Sequence, residues 1–343
     1  MPDPERTKMF AEAGEAADCV RRLLAGSEEP LAAIGERLQR RPPRAVLTCA
    51  RGSSDHAATF AKYLIETRLG VPTASMAPSV ASTYGATLHA EEMLCLAVSQ
   101  SGRSPDLIAT VRAAKQGGAT TLALINDPAS PLASEADLVL PLHAGPELSV
   151  AATKSFIASL VAMVALVAAW ADDTLLKREL KDLPERLDAA WGLNWQPLVE
   201  RLRQVRGLYV IGRGMGLGVA QEAALKFKET SGIHAEAFSA AEVRHGPIAL
   251  IGADFPLLVF RQPDETEGSI EVLVGECTAR GSAVLVAGVA PAGATSLPTV
   301  AADSVLAPIL QIQSFYRAIN ALALARGCDP DNPPHLRKVT RTV

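Results

Sequence analysis

No run of lysine or arginine occurs in this chain of 343 residues, and its formal net charge is −4. Nucleic-acid binders cluster basic residues, so we expect no nucleic-acid partner. The N-terminus lacks the apolar stretch of a signal peptide. An apolar run at 156–171 is shorter than the roughly 20 residues that cross a bilayer, and Asp172 and Asp173 follow it. We therefore expect no membrane association and a buried helix at 156–171.

Cysteine is scarce and shows no regular spacing. The five cysteines are scattered, lie mostly within apolar runs, and form no CxxC pair. This pattern argues against a disulfide framework and fits a reducing compartment. We expect a cytoplasmic protein.

Short apolar segments alternate with helical patterns through the first half of the chain. The segments predicted as strands are 46–50, 73–77, 93–99, 120–125 and 138–142. Helices are predicted between them at about 79–89, 105–116 and 130–136, and a long helix at 153–171 closes this half. Such alternation is typical of a parallel sheet covered on both faces.

The second half repeats this plan, which indicates an internal duplication. Its predicted strands are 207–211, 255–260 and 283–287, and its predicted helices are 217–230, 265–280 and 307–326. We predict an α/β fold with two tandem αβα sandwich domains, each on a mainly parallel five-stranded sheet. The predicted division is a helical segment at 1–40, a first domain at 41–190 and a second domain at 191–343.

Two predicted strands of the first half end in loops rich in hydroxyl groups, directly before a helix. The loop serines are Ser53, Ser54, Ser99, Ser101 and Ser104. If they only cap helices or lie in turns, they have no further role. However, unpaired N–H groups and the helix dipole make a helix N-terminus suitable for an anion. Two such loops at the carboxyl ends of strands in one half can converge on a single phosphate.

Glycines at 212, 214, 216 and 218 follow the first predicted strand of the second half. Their spacing does not match the G-x-G-x-x-G fingerprint of dinucleotide-binding folds, so we expect no nicotinamide cofactor. A tight turn, or close packing of the backbone against a substrate, explains them better.

Charged residues in the second half suggest either a solvated helix face or acid–base chemistry. Glu222, Lys226 and Glu229 share one helix face by their i, i+4 and i+7 spacing. The spacing alone does not decide between a solvated charged stripe and a site. His245 lies in a polar loop before a Gly-Pro pair and is suited to act as a general acid or base near neutral pH.

Five ordered motifs resemble the sugar isomerase (SIS) domain family, especially the isomerase half of glucosamine-6-phosphate synthases. The resemblance covers about 40–343, and its motifs lie at 99–102, 150–156, 223–229, 244–247 and 331–338. It implies two SIS-type domains that bind a sugar phosphate. The implied substrate and phosphate site consists of Gly52, Ser53, Ser54, Ser99, Gln100, Ser101, Ser104, Ala152, Lys154 and Glu222.

The resemblance also implies the catalytic groups. Glu229 would move a proton between C1 and C2 of the sugar, with Lys226 one turn earlier. His245 would open the sugar ring and would come from a neighbouring subunit, so a homodimer is expected. Lys338 corresponds to the tail lysine that forms an imine with the keto sugar in the synthases.

Some residues depart from the synthase pattern. Arg51 stands where the synthases have a small residue, and Ala152 replaces a serine. The segment 51–57 instead resembles the stand-alone sugar-phosphate deaminases of the family. The sequence opens with a short predicted helix around Cys19 rather than with the synthases' glutamine-hydrolysing domain.

We therefore expect a hexosamine-6-phosphate deaminase/isomerase that converts glucosamine 6-phosphate to fructose 6-phosphate and ammonia. We expect neither a metal ion nor an organic cofactor, because the substrate's amino group supplies the electron sink. The alternatives are a galactosamine-6-phosphate enzyme, another phosphosugar isomerase, a fructosamine-phosphate deglycase, or a sugar-phosphate sensor without turnover.

Overall fold

The computed structural model describes residues 3–338. Contacts divide them into two compact units. The N-unit comprises 18–147, 154–184 and 337–338, and the C-unit comprises 3–17, 148–153 and 185–336. The predicted boundaries at 40 and 190 stay a prediction.

Ten strands and fourteen α-helices are formed by the described residues. The strands are β1 Ala45–Cys49, β2 Thr73–Ser75, β3 Met93–Ser99, β4 Thr120–Ile125, β5 Leu138–Pro141, β6 Gly207–Gly212, β7 His234–Ser239, β8 Leu257–Phe260, β9 Val284–Ala287 and β10 Thr295–Leu297. The helices are α1 Lys8–Gly14, α2 Ala16–Gly26, α3 Glu28–Arg40, α4 Ser53–Leu69, α5 Pro78–Ser82, α6 Pro105–Gln116, α7 Pro131–Glu135, α8 Lys154–Trp170, α9 Thr174–Lys181, α10 Leu183–Trp191, α11 Gln196–Leu202, α12 Gly216–Ser231, α13 Glu267–Ala279 and α14 Ala307–Ala325.

The N-unit contains a five-stranded parallel sheet in the order β2-β1-β3-β4-β5. Its central strands are apolar and buried along most of their length, as expected for a sheet covered on both faces. Because β1 and β3 are parallel neighbours, the loops at their carboxyl ends leave the sheet side by side.

The C-unit contains a second five-stranded parallel sheet, in the order β10-β9-β8-β6-β7. Numbered within its own unit, each sheet therefore has the strand order 2-1-3-4-5. The shared order supports an internal duplication, and the predicted α/β class with two five-stranded sheets is confirmed.

Three local predictions need correction. Residues 234–239 form the edge strand β7 and residues 295–297 form β10, and neither is among the predicted strands. β7 pairs on one side only, so its burial is mixed rather than continuous. The helix predicted at 79–89 ends at Ser82, and the chain then turns at Gly85, whose φ is +58°.

Helix α8 confirms the buried helix predicted from the apolar run at 156–171. Nearly all of its side chains are buried. Among the helices of residues 3–338, none has the length and apolar character needed to cross a membrane.

Candidate active site

The first hydroxyl loop of the N-unit lies between β1 and α4. Gly52 has a φ of +54° and precedes the helix, which begins at Ser53. The N–H groups of Asp55 and His56 both donate to the carbonyl of Gly52. Ser53 and Ser54 are half-buried in the first turn of α4. This loop therefore presents hydroxyl groups beside the N-terminus of a helix, which is suitable for an anion.

The second hydroxyl loop lies between β3 and α6. Ser99 is buried, and its Oγ accepts a hydrogen bond from the N–H of Gly102 at 3.0 Å. Gly102 has a φ of +62°, and a Cβ there would lie 2.2 Å from Ser130 Oγ, so glycine is required. Ser104 occupies the N-cap position of α6, but its side chain makes no capping hydrogen bond. Helix capping therefore does not explain Ser104.

An ion pair joins the two loops. Arg51 lies in the β1–α4 loop, and Asp106 lies in the first turn of α6. The Nε and Nη2 atoms of Arg51 lie 2.9 and 2.8 Å from Oδ2 of Asp106. The Asp106 side chain is fully buried, whereas that of Arg51 is 48% exposed. This pair holds the hydroxyl loops together and neutralises a carboxylate that would otherwise repel an anion.

Two further predicted binding residues, Ala152 and Lys154, lie at or just before the start of α8. Lys154 is buried and belongs to the N-unit, whereas Ala152 is half-buried and belongs to the C-unit. Gln100 is half-buried in the β3–α6 loop. The sequence interpretation missed Glu147, which precedes the motif at 150–156. Its buried carboxylate accepts hydrogen bonds from Ser155 and from the tail residue Lys338.

A buried charge cluster lies on α12 in the C-unit. Lys226 Nζ lies 3.1 Å from Oε1 of Glu222 and 2.6 Å from Oε2 of Glu229. The side chains of Glu222 and Lys226 are fully buried, and that of Glu229 is 18% exposed. Tyr316, on α14, donates a hydrogen bond from its hydroxyl group to Oε1 of Glu222. The interpretation of this face as a solvated charged stripe is therefore wrong.

Lys226 is held as a cation. Burial alone would lower the pKa of its amine, but the neighbouring carboxylates of Glu222 and Glu229 raise it above the ordinary value. Lys226 therefore cannot serve as a base near neutral pH. It orients the carboxylate of Glu229 through a charge-assisted hydrogen bond.

Glu229 borders a cavity of about 640 Å³ within the C-unit. Other lining residues include Leu225, Cys328, Asp329 and Leu336. The cavity combines apolar walls with the charged residues Lys228, Glu229 and Asp329, and small-molecule sites commonly combine apolar walls with a few polar groups. Of the three charged residues on this face of α12, Glu229 is the one that lines it.

His245 is exposed and lies between the short 3-10 helices Glu242–Arg244 and Pro247–Leu250. Gly246 follows with a φ of +128°. Within residues 3–338, the structure records no contact between His245 and the charge cluster of α12. The predicted ring-opening role of His245 stays a prediction.

The glycine-rich turn after β6 is tightly packed. A Cβ on Gly212 would lie 2.2 Å from the carbonyl oxygen of Gly216, and one on Gly216 would lie 2.5 Å from Oε1 of Gln262. Close packing therefore explains these two glycines. The described residues 3–338 also contain no group of three or more His, Cys, Asp or Glu side chains that could hold a metal ion.

Comparisons with known proteins agree with this architecture. The SIS domain model matches residues 41–169 and 201–293. A glutamine–fructose-6-phosphate aminotransferase (isomerizing) of Thermus thermophilus is 35% identical over 335 residues, which cover 91% of this chain and 54% of that protein. The chain thus spans about half the length of the curated relatives it matches.

Two solved structures resemble the chain along nearly its whole length. A protein from Silicibacter pomeroyi DSS-3, provisionally assigned as a phosphosugar isomerase, is 44% identical with a TM-score of 0.91, covering 95% of this chain and 100% of that one. The C-terminal domain of the glucosamine-fructose-6-phosphate aminotransferase from Francisella tularensis is 26% identical with a TM-score of 0.87, covering 96% and 98%.

Proposed function

Because the chain belongs to the SIS domain family, we propose that it is a hexosamine-6-phosphate deaminase/isomerase. The proposed reaction converts glucosamine 6-phosphate to fructose 6-phosphate and ammonia. The observation that carries this proposal is the fixed carboxylate of Glu229, held by the buried Lys226 cation at 2.6 Å and bordering a cavity. A carboxylate so placed suits proton transfer between adjacent carbons.

In this proposal the substrate is anchored by its phosphate. The loops around Ser53 and Ser99 supply hydroxyl groups and helix N-termini, and the pair of Arg51 and Asp106 fixes one loop against the other. The N–H groups and the dipole of a helix N-terminus favour a bound phosphate. The anchor would hold the sugar while its other end reacts.

Proton transfer would follow ring opening. Glu229 removes the proton from C2 of the open-chain aldehyde and delivers a proton to C1. The C2 nitrogen gives up a proton as the amine becomes an imine, and the C1 oxygen gains a proton as the carbonyl becomes an alcohol. Lys226 keeps the Glu229 carboxylate in place through these steps. Water then adds to C2, ammonia leaves, and the ketone of fructose 6-phosphate remains.

Ring opening is assigned to His245 from a second copy of the chain, so the proposed functional unit is a homodimer. Support comes from the exposure of His245 on a short segment before Gly246. Mixing His245→Asn and Glu229→Gln subunits tests this arrangement. If each site combines His245 of one subunit with Glu229 of the other, a mixed dimer contains one intact site and regains activity. If both residues of a site come from the same chain, the mixture stays inactive.

The deaminase direction is supported by Arg51 and the rest of the segment 51–57, which resembles stand-alone deaminases. The test is ammonia release, measured with coupled glutamate dehydrogenase, over a panel of amino-sugar 6-phosphates. Glucosamine 6-phosphate is expected to give the highest kcat/KM, with ammonia and fructose 6-phosphate formed in equal amounts. Absence of ammonia from every member of the panel would contradict the proposal.

A second candidate is an aldose–ketose isomerase for sugar phosphates without an amino group. The 44% identity with a protein provisionally assigned as a phosphosugar isomerase favours it. The same Glu229 chemistry would serve, because proton transfer between C1 and C2 does not require nitrogen at C2. Interconversion of glucose 6-phosphate and fructose 6-phosphate at a higher kcat/KM than ammonia release would favour this candidate.

A further inference from the structure

The carboxylate of Glu147, in the N-unit, accepts hydrogen bonds from two separate parts of the chain. Its side chain is fully buried. The Ser155 hydroxyl group donates to Oε2 at 2.7 Å, and the Ser155 N–H donates to Oε1 at 3.2 Å. Ser155 is the second residue of α8, so Glu147 caps the N-terminus of this helix. A third donor comes from far along the chain, because Lys338 Nζ lies 3.0 Å from Oε2 of Glu147.

The pairing of Glu147 with Lys338 has a chemical consequence. A buried carboxylate is costly unless an opposite charge or hydrogen bonds compensate it. The ammonium of Lys338 supplies such a charge, and the ion pair is lost when the amine gives up its proton. An amine that attacks a carbonyl group must be neutral, and enzymes favour that form by apolar surroundings or by a neighbouring cation. Lys338 instead has a carboxylate as its neighbour.

We propose that Glu147 is a positioning residue that holds Lys338 as an ammonium ion, so that Lys338 acts as a fixed cation toward the sugar and not as an imine-forming nucleophile. This inference rests on the proposed function, to which it adds that Lys338 lies beside the substrate. Glu147 thereby gains a role, and Lys338 differs from the tail lysine of the synthases in that it forms no imine with the sugar. A deaminase can dispense with an enzyme imine because its substrate already carries nitrogen at C2.

Two substitutions of Lys338 distinguish a role for its positive charge from a role for its amine as a nucleophile. Lys338→Arg keeps a cation beside Glu147 but cannot form an imine, and we expect its kcat/KM for ammonia release to lie clearly above that of Lys338→Ala. Lys338→Ala removes the cation, and we expect kcat/KM to fall about 10- to 100-fold, the usual weight of a charge-assisted hydrogen bond. If Lys338→Arg is as inactive as Lys338→Ala, the inference is overturned.

Borohydride trapping provides a readout that a merely structural role of Glu147 would not change. The probe is fructose 6-phosphate. An imine would form between the Lys338 nitrogen and C2 with loss of water, and hydride from borohydride would reduce it to a stable secondary amine. We expect peptide mapping by mass spectrometry to find no adduct on Lys338 in the wild type. In Glu147→Gln the counter-charge is gone, and an adduct on Lys338 is expected.

Ser155→Ala is the matched control, because it removes one hydrogen bond to Glu147 and leaves the ion pair with Lys338 intact. It should give no adduct, as in the wild type. An adduct on Lys338 in the wild type, or none in a folded Glu147→Gln protein, overturns the inference. Trapping does not depend on deamination, so these results are distinct from a failure to release ammonia, which would count against the proposed function.

Discussion

The fully buried side chain of Asp106 is paired with Arg51, whose guanidinium group is about half exposed. Two atoms of the guanidinium, Nε and Nη2, contact the same oxygen of Asp106 at 2.9 and 2.8 Å. The pair connects the loop that follows β1 to the first turn of α6. The relative position of the two hydroxyl loops therefore depends on Arg51.

Arg51→Ala should weaken phosphate anchoring. We expect KM for glucosamine 6-phosphate to rise about 10-fold, equivalent to ~1.4 kcal/mol of binding, with a smaller change in kcat. The substitution also leaves the buried Asp106 carboxylate without its cation, so the free energy of unfolding should fall by about 2 kcal/mol. Steady-state kinetics and urea unfolding measure the two effects.

Matched variants show whether the Arg51 effect arises from the buried charge. Asp106→Asn leaves no buried carboxylate, so it should destabilise less than Arg51→Ala, and the double variant should recover part of the loss. Arg112→Ala breaks the ion pair between Arg112, an exposed residue further along α6, and Glu135 on α7, and should change stability little. Equal losses for Arg51→Ala and Arg112→Ala would contradict this account.

The raised pKa of Lys226 leads us to expect that the free energy of unfolding depends on pH in the alkaline range. Burial acts to lower its pKa, but Glu222 and Glu229 outweigh burial and raise the folded-state pKa above the ordinary 10.5. The stabilising contribution is therefore fully present below pH 10.5 and is lost as the pH rises through the folded-state value. Lys226→Met should cost about 3–5 kcal/mol near pH 7, because it leaves Glu222 buried without a counter-charge.

Thermal unfolding from about pH 7 to about pH 11.5 measures this dependence. The difference in Tm between the wild type and Lys226→Met should be constant up to about pH 10 and then shrink. The double variant Glu222→Gln/Lys226→Met removes both charges and should recover part of the stability at neutral pH. If the difference in Tm between the wild type and Lys226→Met grows above about pH 10, the result contradicts the stabilising role of the charge cluster.

The sequence predicted the central strands well and the buried charges poorly, for physical reasons. β3 and β4 are continuous apolar runs, so hydrophobicity alone identifies them. The spacing of Glu222, Lys226 and Glu229 showed a shared helix face but not its burial. That burial depends on tertiary packing, including Tyr316 on α14, which no local pattern reveals. Glu147 was missed for the same reason, since Lys338 lies far along the chain.

The cysteines provide a probe of the cavity beside Glu229. Burial raises the pKa of Cys49, and it raises those of Cys95 to about 12 and Cys277 to about 11. Cys19 is fully buried, whereas Cys328 is half-buried and lines the cavity. At about pH 8 we expect Cys328 to react with a thiol reagent much faster than the other cysteines.

Glucosamine 6-phosphate should slow this modification of Cys328 if the cavity holds the sugar. Inorganic sulfate is the control, because it can occupy a phosphate site without filling the space beside Glu229. Mass spectrometry of the labelled peptides gives the rate at each cysteine. Equal labelling rates with and without saturating substrate would show that the sugar does not bind in this cavity.

The proton-transfer role of Glu229 is the central claim, and it is tested most directly by comparing Glu229→Gln with the wild type. The measurement is the rate of ammonia and fructose 6-phosphate formation from saturating glucosamine 6-phosphate, with Glu236→Gln, an exposed glutamate on β7, as the control. We predict that Glu229→Gln lowers kcat by about 10²- to 10⁴-fold while substrate binding by calorimetry persists, and that Glu236→Gln stays near the wild type. Ammonia release by Glu229→Gln at the wild-type rate would contradict the account.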